Sequence, residues 1–93
     1  MNEIPIKGFE KAIKATHGAG SRLIARERVT ETFRGETVWE GEVLVFELVG
    51  HPSALRCYAW EVDGEVTAVL GEAPVVSALT AVRAAILADG EQV

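Results

Sequence analysis

The dipeptide Asp63-Gly64 separates two runs of strand-forming residues, one from Leu55 to Val62 and one from Glu65 to Leu70. Asp-Gly is favoured where both central residues of a turn need positive φ, as in the type I′ turn whose twist matches that of paired strands. The chain is thereby committed to an antiparallel hairpin at this point, with Val62 opposite Glu65, and the fold has to be built outward from it. Upstream, from Arg22 to Val49, residues rich in Val, Thr, Phe and Trp alternate with polar ones and are interrupted at Arg34-Gly35-Glu36-Thr37. Gly35 at the first central position suits a type II′ turn and predicts Arg34 opposite Thr37. Gly50-His51-Pro52-Ser53 marks the next break and predicts Val49 opposite Ala54. Strands over 22–34, 37–49, 54–62 and 65–70 then form a four-stranded antiparallel meander.

Helical periodicity flanks this block. Ile6, Phe9 and Ile13 recur at helical spacing, with Lys7, Lys11 and Lys14 on another face, and Gly18 supplies a left-handed stop. Pro74 suits a first helical turn, and Val75, Leu79, Val82 and Ile86 follow at helical spacing up to Asp89-Gly90. Helices over 7–17 and 74–89 are expected. The 93 residues, 48% hydrophobic and 25% charged with a mean hydropathy of +0.18, describe one globular domain and exclude a disordered chain. The predicted class is α+β, a two-layer sandwich of order α-β-β-β-β-α with both helices on one face of the sheet.

Register sorts the strand residues into two sides, because cross-strand neighbours share a face. One side collects Leu23, Ala25, Leu44, Phe46, Leu48, Leu55, Cys57, Ala59, Val66, Ala68 and Leu70, none of them charged. Both helices are expected to cover it. The other side collects Arg26, Arg28, Trp39, Val43, Val45, Arg56, Tyr58 and Trp60. With no helix left over, this face is expected to be open and to serve for association, since Trp, Tyr and Arg are enriched at interface centres. A bulge at Gly41 would shift the assignment. The long first hairpin is expected to carry Glu27, Glu31, Glu40 and Glu42 past the helices into water.

Charge and cysteine usage narrow the chemistry. The net charge is −5, and it is divided unevenly: residues 1–34 carry seven basic and four acidic groups, residues 35–93 two and ten. The acidic total disfavours binding that rests on phosphate neutralisation. One cysteine cannot close an internal disulfide, and with two histidines it cannot fill a four-ligand zinc site without carboxylates. No signal-peptide h-region or apolar run of about 18 residues is present, so a soluble cytoplasmic protein without a membrane role is expected.

No motif reaches catalytic specificity. The loop His17-Gly18-Ala19-Gly20-Ser21-Arg22 leaves a helix and enters a strand, the reverse of a phosphate-binding glycine loop. His51 lies in a turn, and Cys57 falls on the covered side of a central strand, which separates the two as a catalytic pair. Glu40 and Glu42 share a protruding strand with no desolvated pocket between them. No cofactor and no metal are expected. The function remains unassigned at this level: a non-enzymatic module is expected to self-associate or to dock a protein partner through the open face. The alternative is a single-stranded nucleic-acid or nucleotide-binding module that stacks bases on the same aromatic and arginine side chains.

Overall fold

The computed structural model describes residues 4–91. The element order is α1 (Ile6–His17), β1 (Gly20–Phe33), β2 (Glu36–Val49), β3 (Arg56–Val62), β4 (Glu65–Leu70) and α2 (Ala78–Glu91). The strands form one antiparallel sheet in the order β1-β2-β3-β4. The α+β class and the α-β-β-β-β-α order are those read from the sequence.

Two of the three turns carry the expected register: Val62 faces Glu65, and Leu44 faces Ala59, in line with Val49 opposite Ala54. The first hairpin closes differently. Phe33 pairs with Glu36, and Arg34 and Gly35 occupy the central positions at φ +54° and +81°. Both are left-handed, so this is the type I′ pattern, not the expected type II′. The same arrangement recurs at Asp63 and Gly64, at φ +52° and +83°.

Two bulges then modify the pairing of β1 with β2, one between Leu23 and Ala25 and one between Glu31 and Thr32. They leave Ile24 and Val38 as the extra residues. Between them Ala25 pairs with Val45, Arg26 with Leu44 and Arg28 with Glu42, so the middle of β1 turns over relative to the expected register. Arg26 and Arg28 therefore stand on the side of Leu44, and Val29 on the side of Val43. Gly41 carries no bulge. The indole of Trp39 lies across it, with a ring carbon 2.9 Å from where a Cβ would be.

The largest departure from expectation is the placement of α2. On one face, Phe9 and Ile13 of α1 pack with Leu44, Phe46, Leu48, Cys57 and Ala59, and the Phe9 and Phe46 rings stand 6.3 Å apart. On the other face, Val75, Ala78, Ala81 and Val82 pack with Val29, Val43, Val45, Tyr58 and Trp60. The helices thus lie on opposite faces and the sheet is the middle of three layers; the expected two-layer sandwich with both helices on one face does not form. The reason is in β2. Val43, Leu44, Val45 and Phe46 are consecutive and all buried, so the strand presents an apolar surface on both sides and needs cover on both. Each fully buried Val or Phe is worth roughly 1.5–3 kcal/mol, so leaving either face wet would cost several kcal/mol.

The remaining joints are polar. His17 Nε2 donates to the Ala68 carbonyl at 3.0 Å and ties the end of α1 to β4. His51 Nδ1 accepts the backbone N–H groups of Ser53 at 3.2 Å and Ala54 at 2.9 Å, which shapes the β2–β3 loop. The second helix begins at Ala78, not at Pro74. Ser77 and Thr80 form a reciprocal cap: the Thr80 N–H donates to Ser77 Oγ at 3.2 Å, and the Ser77 N–H donates to Thr80 Oγ1 at 2.9 Å. Residues 71–77 are thereby freed to carry the chain from β4 to the opposite face. Ser77→Ala is expected to cost about 1 kcal/mol, read as a lower urea midpoint with an unchanged slope.

Candidate interaction surface

The eight residues expected on one open face are divided among three environments. Val43, Val45, Tyr58 and Trp60 are buried beneath α2, none more than 4% exposed, and Trp39 is half-buried with its ring edge-to-face on Trp60 at 5.8 Å. Arg26 and Arg28 point to the α1 side, where they pair with Glu42 at 3.2 Å and Glu40 at 3.8 Å. Arg56 is exposed beside a shallow recess that includes Leu55, Tyr58 and Val76. Its Cα partner is Glu47, whose carboxylate is engaged by Arg22 at 2.6 Å. The expected open sheet face is closed.

Of the four glutamates expected in water, Glu27, Glu40 and Glu42 are exposed and Glu31 is half-buried. Glu31 is held against α2 by Arg83, whose Nε donates to Oε2 at 2.5 Å and whose Nη2 donates to Oε1 at 3.4 Å. Around this bridge lies a recess of about 540 Å³ lined by Glu31, Thr32, Phe33, Val38, Arg83, Ile86 and Leu87. Three large apolar side chains on its rim are exposed to water: Phe33 at 62%, Val38 at 48% and Leu87 at 66%. The tip turn sets Phe33 at the end of β1, the bulge turns Val38 outward, and the last turns of α2 supply Ile86 and Leu87. Sequence reasoning passed over these residues. The available signal was an apolar residue on each side of a turn otherwise read as a solvated glutamate-rich tip.

Four of the arginines are engaged within the molecule. The pairs Arg22–Glu47, Arg26–Glu42, Arg28–Glu40 and Arg83–Glu31 join an arginine to a glutamate of a neighbouring element, and Arg56 is in none of these pairs. The Arg83 guanidinium, by its hydrogen bond and then its charge, holds the Glu31 carboxyl below the usual 4.5 against an opposing push from desolvation, with the Thr32 N–H assisting. Cys57 is fully buried on the α1 side, and desolvation pushes its thiol up to about 12, the state of an inert structural thiol. Glu40 accepts from Thr30 Oγ1 at 3.3 Å and lies beside Arg28. Among the described residues, no group of three His, Cys, Asp or Glu side chains is arranged to hold a metal, and no helix is long and apolar enough to cross a membrane.

A scan against protein-family models, a search of curated proteins and a search of solved structures find no match to this chain.

Two expectations follow. Trp60→Ala should cost about 3–5 kcal/mol of stability, seen in denaturant unfolding, because the ring belongs to the core under α2. A near-neutral change would contradict that burial. Arg83→Gln should raise the Glu31 pKa, followed by carboxyl NMR. Because folding lowers this pKa, the bridge contributes its stability fully above 4.5 and loses it as pH falls through the lowered folded value. The variant should therefore flatten stability across that acid window.

Proposed function

We propose that the protein is a non-enzymatic interaction module that associates with a second copy of itself through the recess between the hairpin tip and α2. The observation that carries this reading is the clustering of exposed Phe33, Val38 and Leu87 around one recess. Monomers seldom leave contiguous large apolar side chains in water. The recess also offers both halves of a self-complementary contact, a protruding ring at Phe33 and a hollow beside Ile86 and Leu87. A two-fold arrangement lets each copy place its Phe33 in the hollow of the other, and such isologous contacts are the commonest way small proteins assemble. Of the guanidinium groups at this rim, Arg83 is engaged by Glu31 and Arg34 lies over the Phe33 ring, 5.1 Å from its centroid, so association has to move Arg34 aside or stack it within the contact.

Binding of single-stranded nucleic acid is the weaker reading. Its stacking residues Tyr58 and Trp60 are buried, and Arg22, Arg26 and Arg28 are each paired with a glutamate.

Light scattering across a range of protein concentrations should show a concentration-dependent dimer. Phe33→Glu should return it to monomer while circular dichroism stays unchanged, a loss of about 2 kcal/mol or more of association energy as for an interface anchor. A wild-type chain that stays monomeric throughout the range refutes the proposal. If the wild type dimerises and Phe33→Glu dimerises equally, the recess is the wrong surface.

A further inference from the structure

Three of the four ion pairs link β1 to β2 within the sheet and leave both partners about half exposed or more. The bridge from Arg83 to Glu31 differs in two respects. It joins α2 to β1, helix to sheet, and its Glu31 side chain is 13% exposed. Two N–H groups of the one guanidinium reach the same carboxylate, a fork that fixes direction as well as charge. A carboxylate this far out of water is costly to leave without its cation, so this bridge holds more firmly than a pair on an open surface.

We propose that the Arg83–Glu31 bridge is a latch that holds the hairpin tip on α2 and so controls self-association; the inference rests on the tip recess being the self-association surface. Beyond the latch the tip has no core of its own: Val29 is the last fully buried residue of β1, and residues 32–38 are all exposed. The recess takes its two walls from two elements, Phe33 and Val38 from the hairpin and Ile86 and Leu87 from α2. Arg83 and Leu87 are four residues apart in α2 and share a face of the helix, while Glu31 precedes Phe33 by two residues in β1. Each end of the bridge thus stands beside the apolar side chain of its own wall. With the bridge closed, the walls form one hollow. With it open, the tip is free to swing from α2, and Phe33 and Leu87 become separate apolar side chains with nothing to share. Affinity scales with the fraction of molecules latched, and in a two-fold dimer both copies carry that factor.

The test compares the 93-residue chain with Glu31→Gln, Arg83→Gln, the two combined, and Arg83→Lys. Arg83 is exposed, so its variants should keep the wild-type circular dichroism. By light scattering, each glutamine variant should dimerise about tenfold more weakly or worse. The double variant should be no weaker than either single one, because the latch is lost once. Arg83→Lys, which keeps the charge and loses the fork, should fall between. In the Phe33→Glu background, which removes the proposed dimer, nuclear Overhauser contacts between the Leu87 and Val38 methyls should weaken severalfold on adding Arg83→Gln. Wild-type dimerisation in both glutamine variants overturns the latch and leaves the recess reading standing. Unchanged Leu87–Val38 contacts overturn the latch whatever the mass. A wild-type chain that stays monomeric overturns the recess reading, and the control of association falls with it.

Discussion

Two-sided burial of β2 is the constraint on which the rest of the structure depends. Val43 to Phe46 presents apolar side chains alternately to both faces, and all four are buried. A sheet with one such strand at its centre cannot be covered from one side. The chain answers with two helices placed apart, and each face acquires its own core, one around Phe46 and Ile13 and one around Tyr58, Trp60 and Val82. The seven residues between β4 and α2 exist to make that crossing, and the Ser77–Thr80 cap is where the crossing ends and the helix starts.

Placing α2 on the second face also decides which surfaces are left over. It withdraws Val43, Val45, Tyr58 and Trp60 from water and sets its own last turns beside the hairpin tip. The apolar surface that remains is therefore peripheral: part of it lies at the seam between helix and tip, and part around Leu55 and Val76 at the far end of the sheet. Alanines make α2 slim enough to lie close to the sheet near Ala78 and Ala81, which are buried. Farther along, against the larger Trp39 and Trp60 rings, the same small residues leave space. One compositional feature, the alanine content of α2, thus produces tight packing at one end and a recess at the other.

The parts of the fold that were legible in the sequence are those set by short-range chemistry. Asp63-Gly64 specified its turn and register, and the apolar set Leu44, Phe46, Leu48, Cys57 and Ala59 was correctly assigned to the face of α1. The first hairpin was less legible because Arg34 tolerates a left-handed conformation that its residue type does not advertise. Its bulges fall on Ile24 and Val38, β-branched residues that carry no mark of irregularity, whereas Gly41, which invites a bulge, serves Trp39 instead. That displacement turned Arg26 and Arg28 to the other face. Placement of α2 was misread because the run from Val43 to Phe46 was read as alternation. Of the apolar recess at the hairpin tip nothing was legible as a unit, since Phe33 and Leu87 are far apart in the chain and meet only after α2 has crossed the sheet.

The sheet order leaves β1, fourteen residues long, at one edge with its outer hydrogen-bonding groups unclaimed by any strand. A long, flat strand edge is a template on which foreign chains can add and fibrils can start. Here the Leu23/Ala25 irregularity breaks the flatness near one end, and Arg22, Arg26, Glu27 and Arg28 crowd the edge with charge. The cross-strand arginine and glutamate pairs, modest in energy on an exposed surface, thereby have a second consequence. They hold a ladder of charge along the β1 border, the longer of the two open edges of the sheet, where a foreign strand would otherwise find the most room to add.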